Sequence, residues 1–159
     1  MASDFLLEIE GIKGESNDHK HKETIEIQSF SWGCSNPGSF ASASGGGAGK
    51  VNFQDLHLTS YVNKASPVLM LSAASGKHIG KATLFVRKQG GDQEDFYKVT
   101  LHDLLISSYQ SGDSTGGSLP VDQFSINFAK IKFEYAPQDA KGKLMAPATG
   151  TWDLKINKP

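Results

Sequence analysis

A single cysteine, Cys34, stands in 159 residues, so the chain can form no internal disulfide and no thiolate metal cluster, and it reads as one that folds in a reducing compartment. Cys34 itself is expected to be a small apolar filler. Long apolar runs are also missing. The longest, Val68 to Ala74, contains Ser72 and falls far short of the ~20 residues that span a bilayer, so no membrane insertion is expected. The opening MASDFLLEIEG has an acid at position 4 and only Phe5, Leu6 and Leu7 as a continuous apolar stretch, which is not the pattern of a cleaved signal peptide. The expected location is the cytosol when the chain is made, with any export bypassing a cleaved signal. Excess positive charge is absent, since 16 Lys plus Arg against 17 Asp plus Glu leave a net charge of -1, and no nucleic-acid partner is expected. There is no internal repeat and no shift in composition. One domain over residues 1–159 is expected, large enough to bury about 70% of its unfolded surface.

What the chain does have is a connector rich in Gly, Ser and Ala from Cys34 to Gly49, flanked by the strand-like segments SFSWG and KVNFQDLHLT. Such a stretch cannot pack a core of its own. Long loops between well-specified strands are usually functional or disordered, and this one reads as an arm reaching toward a partner, with a plain flexible linker as the bland alternative. Its GGGAGK run is not a phosphate-binding loop. The motif requires Gly where Ser44 stands and Ser or Thr where Val51 stands, and the residues from Val51 onward alternate like a strand instead of opening a helix.

Along the strands the apolar phase shifts repeatedly. Phe5, Leu7 and Ile9 alternate with Leu6, Glu8 and Glu10, giving a first strand with one fairly polar face. Ile25 and Ile27 lie on one phase and Phe30 and Trp32 on the other. The same handover occurs from Val51 and Phe53 to Leu56 and Leu58, from Val99 and Leu101 to Leu104 and Ile106, and from Ile126 and Phe128 to Ile131 and Phe133. A one-residue shift reverses the buried face, so each flip predicts a bulge or a strand that moves between core faces. Closed, curved sheets turn corners this way. The expected fold is mainly β, a compact barrel of two packed curved sheets.

One helix is predicted, over Pro67 to Ser75, with Ser66 as N-cap and Gly76 in the left-handed C-terminal position. It is apolar almost all round and is expected to be buried against the barrel or under a neighbouring subunit. Met70 is read first as core packing. Residues 82–88 and 96–108 are expected to pair as a hairpin across GGDQED. A second connector, 111–118, precedes a strand over 124–135 that Pro137 ends, and a last strand over 151–157 is expected to bury Trp152, Leu154 and Ile156.

Candidate chemistry is thin. His19 and His21 in the charged segment 13–23 lack a third ligand, and a solvated loop is expected there instead of a metal site. Asp55 and His57 share one strand face and can touch, whereas His102 and Asp103 point to opposite faces. Neither pair has a third member or an oxyanion site, so no catalytic residue, metal or cofactor is expected, and no enzyme. An apolar helix and two glycine-rich arms are instead the ingredients of a self-assembling subunit, whose head-to-tail contacts close into rings or run on as filaments. The alternative is a monomeric carbohydrate- or peptide-binding module using the glycine-rich loops.

The run IKGES at Ile12 to Ser16, the segment ETIEIQSFSWG, the GGGAGK arm, NKASPVLMLSAASGKHIGKATLFVRKQGG, and FAKIKFEYAPQ with the late Trp152 and Asn157 together resemble the haemolysin-coregulated protein (Hcp) family of bacterial type VI secretion. The match runs in order from Phe5 to Asn157. The resemblance implies a small β-barrel with one short helix, assembled as a homohexamer whose rings stack into the inner tube of a contractile injection machine similar to a phage tail tube. It implies as partners a contractile sheath, a spike protein at the tube tip and effector proteins held in the lumen, and it implies export through the apparatus without a signal peptide. Family members with a C-terminal toxin domain exist; a chain ending at Pro159 resembles the short structural form. Carried onto this chain, Ser44, Gly45, Gly46, Gly47, Ala48, Gly49 and Lys50 are candidates for the ring-stacking loop. Pro67, Val68, Met70 and Leu71 are candidates for a subunit-interface helix. Ser31, on the polar phase opposite Phe30 and Trp32, is the lumen-facing candidate. The segments 17–22 and 36–44 are expected to be the least constrained.

Overall fold

The structure is a computed structural model, and it describes residues 3–38, 49–89 and 93–159. Its strands are β1 (Ser3–Ile9), β2 (Ile25–Ile27), β3 (Ser29–Ser31), β4 (Cys34–Ser35), β5 (Asn52–Phe53), β6 (Leu56–Tyr61), β7 (Ile79–Lys88), β8 (Asp95–Gly112), β9 (Val121–Tyr135) and β10 (Ala148–Asp153), with one helix, α1 (Ser66–Ser75), between β6 and β7.

The main sheet runs β2-β1-β7-β8-β9-β6-β3, with β10 added on β9. Its two ends, β2 and β3, are separated in the chain by Gln28 alone. The phase flip between Ile27 and Phe30 is therefore the closure of the barrel: one short segment pairs with β1 on its first half (Phe5 opposite Ile27) and with β6 on its second (Phe30 opposite Leu58). The Gln28 N–H donates to the Thr59 carbonyl at 2.8 Å and holds the seam. Closure removes the free edges that an open sheet would expose.

The flip in β8 and the flip in β9 are one event. Leu101 lies opposite Ile131 and Leu104 opposite Phe128, all four buried, so the two strands change face together without losing register. Asp103, at φ 52°, takes the turn in β8. The register shifts that do occur lie elsewhere, between Val86 and Arg87 and between Ile106 and Ser108. Those two long strands also reach further than expected, to Gly112 and back to Val121. Inside, Leu7, Ile25, Leu56, Leu84, Leu101, Phe124 and Ile126 are buried to 1–2% or less. Phe5, Phe30, Tyr97, Phe133 and Trp32 form a chain of ring contacts with centroids 4.8–5.6 Å apart, and the Trp32 indole N–H donates to the Tyr97 hydroxyl at 2.8 Å. That hydrogen bond satisfies the polar tip of a half-buried aromatic.

Four expectations need correction. Ser66 is the first residue of the helix and not its N-cap; Ala65 holds that position without a side-chain cap. Ser66 is buried, its hydroxyl accepting the Asn63 N–H at 3.0 Å and donating to Asp122 Oδ2. Gly76 does cap the other end, at φ 62°. Cys34 is exposed in the two-stranded β4–β5 stem, which pairs separately from the main sheet. Ile156 is 57% exposed: β10 ends at Asp153, and a turn with Asn157 at φ 55° comes after it, while Trp152 and Leu154 pack on the core as expected.

The fourth concerns the segment 13–23, which is tied down. Arg87, 6% exposed at its side chain, holds Asp18 in an ion pair and Asp4 at 3.6 Å. His21 stacks on Phe85 with ring centroids 4.1 Å apart and reaches Asp95 at 2.9 Å. The segment covers the outer face of β1 and β7, which is why Leu6, on the face read as polar, is buried to 4%. No group of three or more His, Cys, Asp or Glu fit to hold a metal is found among the described residues.

Candidate assembly surfaces

Helix α1 presents to solvent what its sequence would bury. Ala65 and Leu69 are at 0% exposure and Ser72 at 4%, all on the stripe facing the barrel. A helix at 3.6 residues per turn can turn only one stripe to a single partner. Val68 (39%), Met70 (46%) and Leu71 (60%) are left outside, with Pro67 exposed beside them. Met70 is therefore surface and not core. The outward side of α1 is thus apolar.

The helix is aimed by a buried polar clasp. Asp122 on β9, at 0% exposure, accepts from the Tyr109 hydroxyl of β8 at 2.6 Å and from the Ser66 hydroxyl at the helix start. Burial, and then the neighbouring Asp122, push the Tyr109 phenol above its ordinary pKa, so it stays a donor. Three elements meet at one carboxylate. The sequence reading missed Asp122, although the signal was present: it shares the buried phase of Phe124 and Ile126, where a lone acid demands partners.

The glycine-rich connector leaves from the β4–β5 stem, with Cys34 opposite Phe53 and Ser35 opposite Asn52. At its base Gly49 lies so close to Pro37 that an added Cβ would stand 2.7 Å from the proline Cγ. Lys50 is exposed. Ser44, Gly45, Gly46, Gly47 and Ala48 lie outside the described residues.

Ser31 ends β3, exposed, opposite His57 of β6. It lines a groove with Ser29, His57, Thr59, Ser108 and Gln123, the outward, polar side of the closure seam, where Ser29 and Thr59 hydroxyls are hydrogen-bonded at 2.5 Å. Asp55 does not turn to His57. Its carboxylate accepts from Ser107 at 2.7 Å and Asn127 at 2.9 Å. Asp103, held below the usual carboxylate range by Lys155 and then by His78, pairs with those two residues and not with His102. No helix among the described residues is long and apolar enough to cross a membrane.

The family model described as "Type VI secretion system effector, Hcp" matches residues 6–135. Protein hcp1 of Pseudomonas aeruginosa is 42% identical over 159 residues, covering 99% of this chain and 98% of its own. Among solved structures, one described as a type six secretion system protein superposes with a TM-score of 0.93 at 32% identity, with 99% of each chain covered. Hcp1 from Salmonella typhimurium superposes at 0.82 and 34% identity, again over 99% of both. A closed barrel with one short helix matched over its whole length, and a family model spanning most of the chain, lead to one conclusion: this chain belongs to the Hcp family of type VI secretion proteins.

Proposed function

We propose that this protein is the subunit of the type VI inner tube, a chain whose copies close into six-membered rings and stack, inside a contractile sheath and beneath a spike protein. Effector proteins travel in the lumen, and the subunit itself leaves the cell through the apparatus without a cleaved signal. The observation that carries the reading is the exposed face of α1: Val68, Met70 and Leu71 are apolar, outward and held in place by the Asp122 clasp. A second copy is the natural cover for such a face in a family tied to secretion and not to catalysis. Ser44 to Lys50 would reach the adjacent ring from the β4–β5 stem, and Ser31 with its polar neighbours would face the lumen.

The test is native mass with negative-stain imaging of three proteins. The wild type is expected as six-chain rings. Met70→Asp, a surface change expected to alter folding stability by no more than about 0.5 kcal/mol, is expected as a folded monomer. Deletion of 44–49 is expected to leave single rings that no longer stack. Rings and stacks unchanged in both variants would refute these roles. For the lumen, a Ser31→Cys probe in a Cys34→Ser background is expected to stay reactive in the ring, and protection there but not in the monomer would count against it.

A further inference from the structure

Two surfaces of opposite charge lie on different parts of the barrel wall. The first is a groove of about 570 Å³ between β1, β2 and the segment 13–18, lined by Asp4, Glu15, Asp18 and Glu26, with Arg87 the one cation among the described lining residues. It shares Glu15, Glu26 and Gln28 with a neighbouring groove that reaches Tyr61, Val62 and Leu119, which are 43%, 37% and 52% exposed. Together they make an apolar patch with an acidic border.

The second surface is a row on the outer wall of β7, β8 and β9. Lys81 lies directly opposite His102, and His102 opposite Lys130, with Asp153 of β10 at the end of the row. Each is one residue from a buried core side chain, Ala82, Leu101 and Ile131, so all three basic residues point outward. Neither Lys81 nor Lys130 makes an ion pair or side-chain hydrogen bond among the described residues. Beside the row, the terminal turn is fastened to Ala129 by the Leu154 N–H and exposes Ile156. The row thus also borders an apolar side chain.

We infer that these two surfaces are the two sides of one head-to-tail contact: the groove of Glu15 and Glu26 on one copy receives the Lys81, His102 and Lys130 row of the next. This rests on the ring reading above and names the ring's lateral contact. The charges are complementary, each surface borders exposed apolar groups, and the two occupy different walls of the same chain, so the contact is heterologous and repeats from copy to copy. Placement of charge across such a contact fixes register and rejects wrong partners. The carboxylates of the next copy supply the ion-pair partners that Lys81 and Lys130 lack among the described residues.

Charge exchange tests this on the full chain. Glu15→Lys with Glu26→Lys makes both surfaces basic, and Lys81→Glu with Lys130→Glu makes both acidic. All four positions are exposed, so folding, followed by circular dichroism and thermal unfolding, is expected to be kept. Each double variant alone is expected to be monomeric at concentrations where the wild type forms rings, with every contact weakened about tenfold or more. A 1:1 mixture is expected to restore six-chain particles containing both variants in alternation, and the quadruple variant to restore them alone. Rings formed by either double variant as by the wild type, or a mixture of folded chains that stays monomeric, would overturn the inference while leaving the ring reading intact. A wild type that itself never forms rings would overturn the ring reading and this contact with it.

Discussion

Replacing Asp122 by alanine probes the junction that aims the helix. The carboxylate is at 0% exposure and takes two hydroxyl donors from two different elements, Tyr109 at 2.6 Å and Ser66. A hydrogen bond to a charged acceptor contributes ~1.5–3 kcal/mol, and stranding each buried hydroxyl costs a comparable amount. Asp122→Ala is therefore expected to lose ~3–5 kcal/mol, which for a domain of this size lowers the melting temperature by roughly 10 °C or more. Asp122→Asn keeps one acceptor oxygen and is expected to lose about half as much. The assay is urea unfolding in the monomeric Met70→Asp background, where assembly cannot add concentration-dependent stability. A double-mutant cycle of Asp122→Ala with Ser66→Ala is expected to show strong coupling, because the two share one bond. A loss below about 1 kcal/mol for Asp122→Ala, or strictly additive effects in the cycle, would refute the clasp.

Three further outcomes are dictated by the geometry. Burial pushes the Asp18 carboxyl up, but the Arg87 guanidinium and the His21 and Lys20 N–H groups overcome it and hold its pKa below the ordinary value. A depressed folded pKa gives stability that is present above the unfolded value, ~3.9, and lost as pH falls through the folded one. Asp18→Asn is thus expected to narrow the stability difference between pH 7 and pH 3 in urea unfolding, and an unchanged acid limb would contradict the ion pair. Gly76→Ala places a Cβ on a left-handed residue at φ 62° and is expected to cost ~1–2 kcal/mol, with no cost as the contrary result. Cys34, exposed in the stem, is expected to react with an aromatic disulfide reagent in the native protein, and reaction only after denaturation would place it in a core.

The barrel was legible because strand phase is a local property that the whole wall must obey. Ile27 and Phe30 sit three residues apart on opposite phases, and only a segment serving two sheet edges satisfies both, as Gln28 does between β1 and β6. Gly76 was legible for a similar reason, since a helix end calls for a left-handed residue. Contacts set by distant segments were not. The segment 13–23 carries so many charges that it reads as solvated, and nothing near it in sequence announces Arg87. Ser66 offers a good cap in isolation but bonds to Asp122 across 56 positions of chain. Composition alone shows that α1 is apolar all round; which stripe meets the barrel, and so that Met70 and Leu71 face outward, depends on where Leu69 finds its pocket. Lys81, His102 and Lys130 come from three separate segments, and only their registers make them a row.

The most direct measurement is the native mass of the purified wild-type chain, by light scattering behind a sizing column, with negative-stain images of the same fraction. Six copies of the 17.1 kDa chain in ring-shaped particles are the predicted result. A monomer that persists as concentration is raised and salt lowered, with α1 intact, would contradict the assembly account.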